Sequence, residues 1–107
     1  MGTPKTGDII VSSYGYDATF YDFYKVIKTT PTGVSIVKLQ KTEAAPYNGG
    51  PTIFVKPTTV EIGKPFFKKV KTWPSSDTWA VKVRDYEYAV TTYEPTGSYG
   101  QTASGWY

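Results

Sequence analysis

The sequence predicts an all-β domain: a small antiparallel barrel of the SH3-like or OB-like type, with about six or seven short strands. Three observations predict it. Ten Tyr, five Phe and three Trp occur in 107 residues, and aromatic side chains fit a pleated, half-buried surface. Ten Gly and eight Pro interrupt the chain, and no stretch escapes them for long enough to form a long helix. Apolar runs of strand length recur between these breaks, about every 8–12 residues, as in sandwiches and barrels. For a chain this short, closing the sheet is the economical solution, because closure removes exposed edges.

The first strand is expected at residues 8–13, where Ile9, Ile10 and Val11 follow a glycine. The second is residues 20–29. Phe20, Asp22, Tyr24, Val26 and Lys28 share one face, and Tyr21, Phe23, Lys25, Ile27 and Thr29 the other. Neither face is cleanly polar, as expected of a strand curling in a barrel or covered on both sides. Thr30-Pro31-Thr32-Gly33 reads as a turn in which Pro presets one dihedral and Gly accepts positive φ. Residues 34–40 form the return strand, so residues 20–40 make a β-hairpin. Residues 44–51 read as a loop. Residues 52–56 form a short strand ended by Pro57, and residues 58–62 another, stopped by Gly63. A turn follows at 73–77. In residues 79–84, Trp79, Val81 and Val83 alternate with Ala80, Lys82 and Arg84, the pattern of a half-buried strand with a basic outer face. Residues 86–93 form the last strand. Residues 1–107 read as one barrel domain, with 94–107 a Gly-, Ser- and Thr-rich tail expected to be loosely held.

Composition excludes several kinds of chemistry. The chain has no Cys and no His. Disulfides, thiol catalysis and Ser-His-Asp or Cys-His arrangements therefore cannot be built, and the commonest transition-metal ligand is missing. No cofactor and no metal site is expected, and no Asp-x-Asp-x-Asp-Gly calcium loop occurs. The carboxylate pairs Asp17 with Asp22 and Asp85 with Glu87 are the raw material of a hydrolase, which needs two carboxyl groups across a cleft. Nothing in the sequence indicates a cleft, so they read as surface carboxylates. The first residues lack the apolar run of a signal peptide, and no stretch is long and apolar enough to span a membrane. A cytoplasmic location without membrane contact is expected.

Two surfaces remain as candidates for recognition. Residues 56–84 hold seven cations against two carboxylates, whereas residues 85–107 hold three carboxylates and no cation. Lys64, Lys68, Lys69, Lys71, Lys82 and Arg84 with Trp73 form a basic stretch with interleaved aromatics. That is the composition of a nucleic-acid surface, where cations meet phosphates and rings stack on bases. The plainer reading makes Phe66, Phe67 and Val70 core, with lysines keeping a β-edge soluble. The second candidate is Tyr14, Tyr16, Phe20 and Tyr21. Tyr offers large contact area at low entropic cost, which suits a protein-binding surface.

The stretch Gly7-Asp8-Ile9-Ile10-Val11-Ser12-Ser13-Tyr14-Gly15-Tyr16-Asp17-x-Thr19-x-x-Asp22-Phe23-Tyr24-x-Val26 resembles a group of small uncharacterised proteins encoded by bacteriophages and other bacterial mobile elements. These carry Gly-Asp-(apolar)₃-Ser-Ser-(Trp or Tyr)-Gly-Tyr-Asp-x-Thr-x-x-Asp-Phe-Tyr-x-Val; Tyr14 stands where Trp is common. Gly63-Lys64-Pro65-Phe66 leading into Lys68-Lys69-Val70 is similar to their basic stretch, and Tyr86-Glu87-Tyr88-Ala89 to a segment near their C-terminus. The resemblance implies a bacterial or phage context and an accessory role, with no inherited functional residue. The leading expectation is a non-enzymatic binding module that modulates a host protein through Tyr14, Tyr16, Phe20 and Tyr21. The alternative is a nucleic-acid-binding barrel using the basic stretch. Oligomeric state is open.

Overall fold

The computed structural model describes residues 4–14, 19–44, 50, 52–72, 79–84, 87–95, 97 and 99–102, with the side chains of Arg84 and Thr102 left aside. The strands are β1 (Ile9–Tyr14), β2 (Phe20–Thr29), β3 (Gly33–Glu43), β4 (Thr52–Thr72), β5 (Trp79–Arg84), β6 (Glu87–Thr92) and β7 (Gly100–Thr102). They lie in the order β3-β2-β1-β6-β5-β4, and β4 pairs back onto β3. Every pairing is antiparallel. The first six strands thus close into the small barrel predicted from the strand pattern, and β7 adds to the first residues of β4.

The two mixed faces of β2 have a direct explanation. Tyr24 and Val26 line the barrel with Ile10, Val34, Ile36, Val81, Val83 and Ala89. Phe23, on the opposite face, belongs to a second core with Val11, Leu39, Ile53 and Val55, bordered by Ile9, Tyr21, Tyr93 and Tyr99. The start of β4 and the segment around β7 fold over the outside of β1–β3. A strand covered on both faces has no reason to alternate cleanly.

The turn between β2 and β3 forms at Thr30–Gly33. Thr30 N–H donates to the Gly33 carbonyl at 2.9 Å, and Gly33 N–H donates to Thr30 Oγ1 at 3.1 Å. Gly33 is needed there for a different reason than the one predicted. Among the described glycines only Gly7 and Gly63 have positive φ. Gly33 is instead crossed closely by β4: a Cβ there would lie 2.4 Å from the Lys68 carbonyl oxygen and 2.6 Å from Cζ of the Phe67 ring.

Residues 52–72 correct the prediction of two short strands broken at Pro57 and Gly63. They form one strand, β4, 21 residues long. Its register against β3 shifts between Ile36 and Lys38 and again between Leu39 and Lys41, and both times β4 carries the extra residues. Gly63, with φ of 78°, and Pro65 fall in the first irregular stretch, where Phe66 pairs with Ile36 and Ile62 with Lys38. A bulge leaves residues outside the ladder, so a missing N–H is tolerated and a positive φ is used. Glycine and proline here bend a strand instead of ending it.

The loosely held tail is also corrected in part. Tyr99 packs in the second core, Gln101 is buried, and Gly100–Thr102 pairs with Phe54–Thr52. The aromatic contacts of Tyr99 with Tyr21, Phe23 and Tyr93 supply the burial that the segment could not achieve alone. Residues 103–107 of that segment lie outside the described residues, as do the turn at 73–77 and, of the predicted loop at 44–51, residues 45–49 and 51.

Candidate functional site

Among the described residues β4 and β5 pair over Val70–Thr72 with Val81, Ala80 and Trp79, and no further. The bulged middle of β4 then follows β3, away from β5. Between them lies an open groove of about 530 Å³ lined by Tyr24, Lys38, Ile62, Gly63, Lys64, Phe66, Phe67, Lys68 and Val83. Among the described residues its charged lining is Lys38, Lys64 and Lys68, with no carboxylate.

The aromatic side chains are held in place. Phe66 packs edge-on against the buried Tyr24, with ring centroids 6.1 Å apart and planes at 90°. Lys68 Nζ stands 5.8 Å from the Phe66 ring centre, within cation–π range. Phe67 also lines the groove, its ring tip over Gly33, and remains 47% exposed. Half of the plainer sequence reading therefore holds: Phe66 and Val70 pack against the core, whereas Phe67 does not.

The groove draws on part of the predicted basic stretch. Lys64 and Lys68 line it. Lys69 lines a second hollow of about 630 Å³ at the end of the barrel, with Lys5, Thr30 and Val34. Lys71 is exposed on the paired part of β4, and Lys82 on β5. Arg84 belongs to β5 without a described side chain, and Trp73 lies outside the described residues. Lys38 and Tyr24 were not in the predicted set. They come from the hairpin β2–β3, more than twenty residues upstream, and only the β3–β4 register Lys38↔Ile62 brings Lys38 to the groove. No local signal in the sequence marks them.

The predicted aromatic surface is split. Tyr14 and Phe20 pair across β1 and β2 with rings 5.5 Å apart. They stand on the faces that carry Ser12 and Asp22, and so close the barrel at that end. Tyr21 is on the opposite face of β2 and packs edge-on against Tyr99. Tyr16 lies outside the described residues.

Beneath Tyr14 and Phe20 runs a polar layer that the strand pattern does not announce. Ser12, Asp22, Glu87 and Gln101 are all buried. Ser12 is the register partner of Asp22, and its hydroxyl donates to Glu87. Asp22 accepts ion pairs from Lys41 at 3.5 Å and Lys38 at 3.6 Å. Lys41 also donates to the Tyr21 carbonyl at 2.6 Å and to Gln101 Oε1 at 2.8 Å, tying β3 to β2 and β7. Gln101 Nε2 is buried without a hydrogen-bond partner among the described residues. Of the two carboxylate pairs considered as catalytic, Asp22 and Glu87 are thus committed to internal contacts, while Asp17 and Asp85 lie outside the described residues.

Burial pushes the Lys41 ammonium below its ordinary value of 10.5, against the pull of Asp22. The folded protein therefore sheds this proton at lower pH than the unfolded chain does. Stability is expected to climb as pH rises from the lowered value toward 10.5 and to level off above it. Urea midpoints of wild type and Lys41→Met, compared from about pH 8 to about pH 11, check this. The climb should be absent from the variant; equal slopes would show that Lys41 is not the group responsible.

Fold and groove together define a small closed β-barrel with a lysine-rimmed, aromatic-lined opening between two splayed strands. Comparison with protein-family models, curated proteins and solved structures yields no match.

Proposed function

We propose that the protein is a non-enzymatic binding module whose ligand is nucleic acid, held at the groove between β4 and β5. The observation that carries this reading is the groove's lining: Lys64 and Lys68 beside the partly buried Phe66 and the exposed Phe67, with no carboxylate among the described lining residues; Lys38 lines it too but is paired with Asp22. Lysines neutralise phosphates and release counterions, and exposed rings offer stacking surfaces to bases. The exposed Lys71 and Lys82 extend the positive field beyond the groove. The engagement of Asp22 and Glu87 in internal contacts favours binding over catalysis. In keeping with its resemblance to phage and mobile-element proteins, the module would act in the bacterial cytoplasm.

Fluorescence anisotropy of a labelled oligonucleotide tests the reading. Two lysines, Lys64 and Lys68, on two phosphates predict a loss of affinity of about tenfold between about 50 and about 200 mM salt, since Lys38 is already paired with Asp22. Lys64→Glu with Lys68→Glu should weaken binding at low salt by at least that much. Absence of binding at low salt, or binding indifferent to salt, would refute it.

A second reading assigns the module to a host protein through Tyr14 and Phe20, whose rings are only half-buried at the barrel end. It predicts that Tyr14→Ala removes capture of a specific host protein while the melting temperature stays within a few degrees.

A further inference from the structure

We infer that the groove selects unpaired bases, so that the nucleic acid it takes is single-stranded; this rests on the nucleic-acid reading above and goes further. A cation patch for duplex needs only lysines spread over a convex face, because the phosphates of a duplex lie outside. Here Lys64 and Lys68 line an open groove together with Phe66 and Phe67. Lys68 stands over Phe66, which is braced by Tyr24. Phe67 is supported from below by Gly33 and the β3 backbone and is half exposed above.

Strand alternation turns Phe66 toward the core and leaves Phe67 outward and exposed. The ring tip of Phe67 occupies space that a side chain at residue 33 would fill, so Gly33 gives the ring its seat. A base with both faces free can lie on such a ring, whereas a base stacked within a duplex has no free face. Lys69, the next residue along β4, lines the second hollow. A flexible single strand can splay a base onto an exposed ring while its phosphates meet the lysines, whereas a duplex keeps its bases stacked.

The experiment measures anisotropy at low salt with three labelled probes: a 12-mer of thymidylate, the same length of abasic deoxyribose-phosphate, and a 12-base-pair duplex. Wild type is expected to bind the thymidylate strand about tenfold more tightly than either other probe, the effect of one stacked base. Phe67→Ala is expected to lose that tenfold preference while its affinity for the abasic strand stays unchanged. Phe67 is exposed, so the variant should melt with wild type, and this is measured alongside. Equal, salt-sensitive binding of all three probes would overturn this inference and leave the nucleic-acid reading standing. Failure to bind any probe would overturn both. A preference for thymidylate that survives in Phe67→Ala would overturn the role given to that ring.

Discussion

Replacing Asp22 by Ala is expected to lower stability by about 3 kcal/mol, a larger loss than truncating any exposed side chain of the barrel. Asp22 is 2% exposed and faces two ammonium groups, those of Lys38 and Lys41, whose side chains are 38% and 20% exposed. Removing the carboxylate leaves Lys41 half-sequestered with only carbonyl oxygens as partners, at the Tyr21 backbone and Gln101. Deleting one member of a buried pair costs about 3–5 kcal/mol because the survivor is uncompensated. Water reaching Lys38 and Lys41 argues for the lower end of that range. For a domain of this length the midpoint of thermal unfolding should fall by about 15 °C. Asp22→Asn separates charge from shape: if it melts with Asp22→Ala, charge is what matters. A loss below about 1 kcal/mol in both variants would place the cluster among screened surface pairs.

Gly33→Ala is expected to cost about 2–3 kcal/mol, the usual penalty of overpacking at a site that cannot yield. The added methyl group would meet a backbone oxygen, that of Lys68, at 2.4 Å, together with the Phe67 ring. The ring can rotate, but the carbonyl cannot move without parting β3 from β4 at the pair Gly33↔Lys69. That pairing closes the barrel, so the damage should appear in overall stability and not as local fraying. The matched control is Gly63→Ala, where φ is 78° but nothing lies within 4 Å of the new Cβ. There only backbone strain is paid, about 1–2 kcal/mol. Urea denaturation of the two variants distinguishes crowding from strain. If Gly33→Ala melts with wild type, β4 has room to shift, and the support claimed for Phe67 is gone with it.

Much of the fold was legible along the chain because strand patterns are local. The bounds of β2, the turn at Thr30–Gly33 and the alternation of Trp79, Val81 and Val83 all follow from side-chain period and turn chemistry. The failures share a cause. Pro57 and Gly63 are strand breakers when read in isolation, yet β4 passes through both, because β3 offers a partner ladder that accepts bulges. The segment after Glu94 is too polar to fold by itself, yet Tyr99 and Gln101 are buried once Phe23, Tyr93 and Lys41 surround them.

The groove shows the same division. Lysines and aromatics at 64–71 were visible as a composition, and the half that matters, Lys64 and Lys68 with the exposed Phe67, could not be told from the half that packs. Nor could the sequence supply Lys38 and Tyr24, which arrive from another hairpin. Sequence alone determined the all-β class, the absence of histidine and cysteine chemistry, and the concentration of positive charge in residues 56–84. Those depend on residue identity and near neighbours. Tertiary structure alone decided that Asp22 and Glu87 turn inward, that Gly33 serves close approach, and that the lysines of β3 and β4 converge on one opening. Those depend on cross-strand register, which is set by the summed packing of two cores and two bulges and is carried by no single segment of the chain.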